Sequence, residues 1–301
     1  MARMNMSETL TPPKSDLNWQ PDLTAPIPVN DTPGVGEFIQ ETQALTKRLF
    51  IQLQRRPSTL MAGIIQPLMW LILFGALFQN APQGIFGESL SYGKFLGAGV
   101  IVFTAFAGAL NAGLPIMFDR EFGFLNRLLV APLVSRFSIV AASAIYIIAL
   151  SLLQTVAIVT ASSFLGAGLP NLAGLAMIGL IVFLLVVGVT ALSLGLAFAL
   201  PGHIELIAVI FVTNLPLLFA STALAPLSFM PKWLQVVASL NPLSYAIEPI
   251  RYLYLHNDWS VGSIVMQAPW ASITFGQSLL ILLGFSTAVL LAISPLLSRR
   301  L

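Results

Sequence analysis

From residue 58 onward, long apolar runs alternate with short segments that carry the charges and most of the prolines. At about 20 residues per crossing, the pattern predicts six membrane-spanning helices, near residues 58–79, 94–117, 138–165, 171–200, 205–229 and 275–297. Between Arg136 and Glu205 there is no Asp, Glu, Lys or Arg, and the break GAGLPN at 166–171 divides that interval into two helices and a tight turn. Ahead of the first run the period changes. Val35, Phe38, Ile39, Thr42, Leu45, Leu49 and Leu53 recur at helical spacing, with Glu37, Glu41, Lys47 and Arg48 on the other side. This predicts an amphipathic helix over 35–57, ended by Pro57 and lying on an anionic leaflet through Lys47, Arg48, Arg55 and Arg56. Residues 1–34 hold Pro12, Pro13, Pro21, Pro26, Pro28 and Pro33 among polar residues and no apolar signal core, which predicts a disordered tail.

The region 226–274 is irregular, because Pro226, Pro231, Pro242, Pro249 and Pro269 forbid one continuous helix. Trp233, Tyr245, Tyr252, Tyr254, Trp259 and Trp270 collect there, and such side chains favour the headgroup level. Two short helices are expected, over 231–240 and 243–255, dipping into the outer leaflet and returning, with an exposed loop at 256–262.

Composition sharpens this picture. With 57% hydrophobic and 9% charged residues and a mean hydropathy of +0.88, the chain reads as an all-α integral membrane protein whose working part is the membrane domain itself, 58–301. There is no cysteine, which excludes disulfides, thiol catalysis and Cys-ligated metals. Of the 14 Lys and Arg residues, all but Lys94, Lys232 and Arg251 fall on one side if both termini lie together, so the termini are expected in the cytoplasm. The scattered positive charge suits membrane orientation rather than nucleic acid.

Candidate chemistry is sparse. GESLSYGKF at 87–95 has five residues between its glycines and Phe95 where a P-loop needs Ser or Thr, so it does not bind ATP. His203 and Glu205 are too close for HExxH and read as caps of the fifth span; no GxSxG run exists. An ion-coupled carrier usually keeps a buried ionisable group at mid-membrane, whereas Glu205, Glu248 and Arg251 all fall near span edges, and Glu248 and Arg251 are spaced to pair. Gln66, Asn111, Gln154, Asn214 and Gln277 could line a pathway or bond across helices. Gly93/Gly97 and Ala191/Gly195 are small-residue pairs suited to helix packing.

One charged run stands out: FDREFGFLNRLLVAPL at 118–133, between the second and third spans. As a helix it puts Phe122, Leu125, Leu128 and Leu129 on one face, with Asp119, Arg120, Asn126 and Arg127 elsewhere and Pro132 as its end. The residues alone leave two readings, a cytoplasmic handle on two spans or a loop whose charges merely follow the positive-inside rule. The run resembles the cytoplasmic coupling segment of type-2 ABC exporter permeases through Glu121, Gly123, Leu125, Leu128 and Pro132. PLSFMPKWLQVVASLNPLSYAIEPIRYL at 226–253 is similar to that family's extracellular re-entrant region through Pro226, Pro231, Trp233, Asn241, Pro242, Tyr245 and Arg251.

The resemblance, spanning 35–301, implies six spans, an elbow helix before them and a non-catalytic permease. It implies a separate ATPase subunit, carrying ATP and magnesium, docked on Asp119, Arg120, Glu121, Phe122, Gly123, Leu125, Arg127, Leu128 and Pro132. It also implies a second permease copy, most simply as a homodimer, with motion passed to spans one, two and five. A hydrophobic or amphipathic cargo suits the uncharged interior. A bacterial cytoplasmic membrane is the expected location, with a plastid or thylakoid membrane as the alternative.

Overall fold

The computed structural model describes residues 34–55, 57–77, 92–123, 135, 137–164 and 168–300. Its helices are α1 (Val35–Arg55), α2 (Pro57–Leu77), α3 (Tyr92–Leu110), α4 (Gly113–Glu121), α5 (Phe137–Ser162), α6 (Leu172–Ala199), α7 (His203–Phe219), α8 (Lys232–Leu240), α9 (Pro242–Leu255) and α10 (Phe275–Arg300). The expected tail, Arg56, Arg136 and most of the rejected P-loop lookalike lie outside the described residues.

Among the described residues, five helical stretches are long and apolar enough to cross a membrane: Leu60–Leu77, Phe95–Glu121 counted through the break between α3 and α4, Phe137–Ser162, Leu172–Ala199 and Phe275–Leu296. The α3–α4 stretch is the centre of the fold, with 67% of an 18-residue apolar window buried against 6% in α2 and 11% in α10, whose apolar surfaces face outward. Phe95, Leu96, Ile101, Ala105 and Ala109 of α3 meet Ile181, Leu185 and Val189 of α6 and Ala246 and Ile250 of α9 in one core. Two glycines let α10 approach α6 closely. A Cβ on Gly188 would lie 2.8 Å from the Phe285 ring and Ser286 Oγ, and one on Gly195 would lie 2.8 Å from Ile293. Ser286 Oγ donates to the Leu184 carbonyl at 2.5 Å along the same seam.

Three features differ from the sequence-based expectation. The fifth apolar run, expected over 205–229, is helical only to Phe219; at 17 residues α7 is about 25 Å long at ~1.5 Å per residue. It stops because the Ser221 hydroxyl turns back to the Leu218 carbonyl and the Asn241 amide takes the carbonyls of Leu217 and Ala220, satisfying backbone that a longer helix would use. Asp119, Arg120 and Glu121 do not start a separate helix; they form the last turn of α4. The third difference is a small antiparallel hairpin, β1 (Ile264–Gln267) with β2 (Ser272–Thr274), following the expected loop. It is seated on the start of α10, where the Phe275 and Gly276 amides donate to Ser263 and Val261 and Trp259 stacks on Phe275 at 5.0 Å.

Candidate coupling site

The second span is built to turn just before its charges. At the break, Asn111 Nδ2 donates back to the Ala107 carbonyl, and one hydroxyl from α6 serves both freed backbone groups: Ser193 Oγ donates to the Leu110 carbonyl (2.5 Å) and accepts from the Gly113 amide (2.9 Å). Glycine is required at 113, since a Cβ there would lie 3.0 Å from the Ser193 carbonyl carbon and its Oγ. Ser193→Ala leaves a buried donor and a buried acceptor unpaired, with an expected cost of about 1–3 kcal/mol. A thermal unfolding scan of the purified chain should show the lowered midpoint, and an unchanged midpoint would contradict this assignment.

Beyond the break, α4 ends on three consecutive charges, each directed to a different element. Asp119 Oδ2 faces Arg48 Nη2 of α1 at 3.9 Å. Arg120 closes the end of α6, with Nη1 donating to the Ala197 carbonyl (2.8 Å) and Nη2 to the carbonyls of Leu200 (2.6 Å) and Pro201 (2.7 Å). Glu121 caps the start of α7, its Oε1 accepting from the His203 amide at 2.5 Å and its Oε2 pairing with His203 Nδ1. The signs follow helix polarity, a cation at a carboxyl end and an anion at an amino end. Phe118 packs on the His203 ring with centroids 5.2 Å apart, and Phe122 stacks on Phe118 at 6.0 Å. Gly123, at φ +74°, then ends the helix in the left-handed conformation. On the elbow side, Glu41 Oε2 accepts from the Ser135 amide at 3.2 Å and Phe50 meets Tyr146 edge-on, so α1 is fastened to α5 as well.

The Arg48–Asp119 contact is the weakest of these, being long and with side chains 35% and 37% exposed. Arg48→Ala should therefore change thermal stability by less than about 1 kcal/mol, a limit that a melt can test against Ser193→Ala. Leu125, Arg127, Leu128 and Pro132 lie outside the described residues.

At the far end of the helices, the other singled-out residues form a second cluster. Pro231 caps α8 and Trp233 is exposed, whereas Asn241 caps α9, its Oδ1 accepting from the Leu243 amide, with Pro242 in the first turn. Tyr245 donates to the Ser239 carbonyl at 2.6 Å. Glu248 and Arg251 are paired at 2.6 Å and largely buried, and Arg251 also donates to the Thr222 carbonyl (2.6 Å) while its guanidinium lies 3.6 Å above the Phe95 ring. Ser193 is not legible in the sequence because one hydroxyl inside an apolar run carries no spacing signal, and Thr222 is not because it takes part through its backbone carbonyl. Among the described residues, no three of His, Asp and Glu converge as metal ligands would.

The profile of the ABC-2 type transporter family matches residues 40–255, most of the chain. The chain belongs to the ABC-2 type transporter family. A transport permease of Porphyra purpurea described as ycf38 is 57% identical over 278 residues, covering 92% of this chain and 96% of the relative. The similarly described chain of Cyanophora paradoxa is 59% identical over 248 residues, 82% of this chain and 86% of its own. More distantly, a Mycobacterium tuberculosis chain described as the doxorubicin resistance ABC transporter permease protein DrrC is 25% identical over 222 residues, 71% of this chain and 76% of the relative. The protein is thus a multi-pass membrane permease subunit of the ABC-2 type, a transport component and not itself an enzyme.

Proposed function

We propose that this ABC-2 permease subunit is the membrane half of an ATP-driven exporter, coupled to a separate ATPase subunit and working as a homodimer. The observation that carries the reading is the charged turn Asp119–Arg120–Glu121, which joins α4 to the elbow helix, to the end of α6 and to the start of α7. A push delivered at Phe122–Pro132 by a docked ATPase is passed by short hydrogen bonds to α6 and α7, rather than absorbed by a loose loop. ATP and magnesium belong to the partner, and the charged end of the helices faces the cytoplasm. The sixth crossing of the membrane is α7 with the segment that follows it.

The exposed apolar faces of α2 (Met61, Leu73) and α7 (Phe211, Val212) suit a second copy and membrane lipid. Trp70 and Phe74 of α2, Val100 and Phe103 of α3 and Leu224 wall a narrow apolar cleft of about 20 Å³, which would have to widen to admit a hydrophobic or amphipathic cargo. The likeness to chains from Porphyra purpurea and Cyanophora paradoxa sets a plastid membrane beside the bacterial cytoplasmic membrane as its location. DrrC-like chains are described by drug resistance, and a lipophilic drug is one cargo to test here.

The experiment is reconstitution with a candidate ABC ATPase subunit from the same organism, measuring uptake of a lipophilic dye into inside-out vesicles with ATP or with an ion gradient alone. Dependence on ATP, abolished by a hydrolysis-deficient partner, is the expected result. Uptake driven by the ion gradient without the partner would replace this reading with a secondary carrier.

A further inference from the structure

Past Phe219 the chain is non-helical up to Leu227, yet Ser221, Thr222 and Ala223 are at most 1% exposed. In a membrane protein, buried non-helical backbone persists only where other groups take its hydrogen bonds. Here a single face of α9 supplies them. Asn241 Nδ2 donates to the carbonyls of Leu217 (2.8 Å) and Ala220 (2.7 Å), Ser244 Oγ accepts from the Thr222 amide (3.2 Å), and Arg251 donates to the Thr222 carbonyl (2.6 Å). Residues 244 and 251 are two helical turns apart, and the N-cap 241 is one turn further back. Arg251 is itself oriented by Glu248 and by the Phe95 ring.

Two further observations bear on how the segment is seated. The Thr222 hydroxyl is buried with no hydrogen-bond partner, a penalty of the seated arrangement that displacement into water would relieve. Ala223 is seated on Gly99, where a Cβ would lie 2.5 Å from the Ala223 carbonyl oxygen, so the contact is made by backbone against backbone and not by interlocking side chains. Ala223 and Leu224 also wall the apolar cleft that contains Trp70, Phe74 and Phe103.

We infer that Ser221–Leu224 is a latch on the outer end of α7, that Asn241, Ser244 and Arg251 are the positioning residues that hold it shut, and that its release opens the apolar cleft during transport. The role in transport rests on the exporter reading above; the latch itself does not. Arg251 and Ser244 act through the backbone they hold and need not touch the cargo.

Because the chain has no cysteine, Ala223→Cys places its sole thiol in the latch, and Leu224→Cys is a second reporter in the same segment. The assay is the rate of maleimide labelling of the permease in the intact complex with its ATPase in nanodiscs. Ser244→Ala, which removes the acceptor for the Thr222 amide, and Arg251→Lys, which keeps the charge facing Glu248 but loses the forked donor, should each speed labelling about 10-fold, the effect of losing roughly one hydrogen bond to a charged or buried group. A control thiol at Ala142→Cys, buried in α5, should not change. Turnover with MgATP should speed labelling of Ala223→Cys in the otherwise unaltered chain. Equal rates in parent and variants, or an equal rise at the Ala142→Cys control, would overturn the latch. Faster labelling in the variants with no response to MgATP supports the latch and counts against the exporter reading.

Discussion

Neutralising one half of the Glu248–Arg251 pair, by Glu248→Gln or Arg251→Met, is expected to destabilise the folded permease by about 3–5 kcal/mol. The two side chains are only 14% and 7% exposed, so the partner left behind is a charge that little water can reach. The double variant should recover part of the loss, since both charges are then gone while much of the volume remains. Recovery should be incomplete, because the Thr222 carbonyl loses the donor it has in Arg251. The half-life of the monodisperse protein in detergent on mild heating is the appropriate readout, unfolding of membrane proteins being commonly irreversible. Either single variant surviving as long as the parent would mean that the pair is not the buried anchor described.

The second large effect is expected at Arg120. Arg120→Ala removes the donor to three carbonyls at and just beyond the end of α6 and leaves α4 joined to the start of α7 through Glu121 and the Phe118–His203 ring contact. Charge-assisted bonds contribute about 1.5–3 kcal/mol each when shielded, but the Pro201 bond is exposed, so the joint as a whole is placed at roughly 2–4 kcal/mol. That corresponds to roughly a 30- to 900-fold weaker hold between α4 and the α6–α7 junction. Arg120→Lys should restore little, because an ammonium is a point donor and cannot span carbonyls that a planar fork reaches together. Although Arg120 belongs to the docking run expected from the sequence, its guanidinium is turned onto the end of α6, so the expected phenotype is separation of docking from work: the ATPase still co-purifies, while ATP-driven uptake falls by more than about 10-fold.

Much of this architecture is legible in the sequence because membranes impose strong rules. The charge-free interval from 137 to 204 could only be two spans, and α5 and α6 occupy it on either side of the GAGLPN break. Asn241-Pro242 announces a helix start through a side-chain cap and a proline in the first turn, and α9 begins there. The partners of Arg120 are a different matter. They are backbone carbonyls some 77–81 residues away, and a carbonyl has the same sequence signature everywhere. Ser193 escapes notice for a related reason, since one hydroxyl within an apolar run looks like any other until a neighbouring helix breaks beside it.

The length of the fifth apolar run misleads because hydropathy measures how readily a segment leaves water, not whether its backbone stays helical. Ala220–Ala225 remains apolar enough to extend the run, while Asn241, Ser244 and Arg251 supply the hydrogen bonds that let it leave the helix. The hairpin at 264–274 escapes a reading of the sequence because its strands are only four and three residues long and its turn contains Pro269 and Trp270, which read equally well as an interfacial loop.

Motion imposed on the charged turn at one end of α4 is expected to reach the far end of α7. This can be tested without knowing the cargo, by following maleimide labelling of Ala223→Cys in the complete complex with and without MgATP, in the parent and in Arg120→Ala. The account predicts that MgATP speeds labelling in the parent and does nothing in Arg120→Ala, although the ATPase remains bound. An equal response to MgATP in both would contradict it, because motion would then be reaching the end of α7 by a route that does not pass through Arg120.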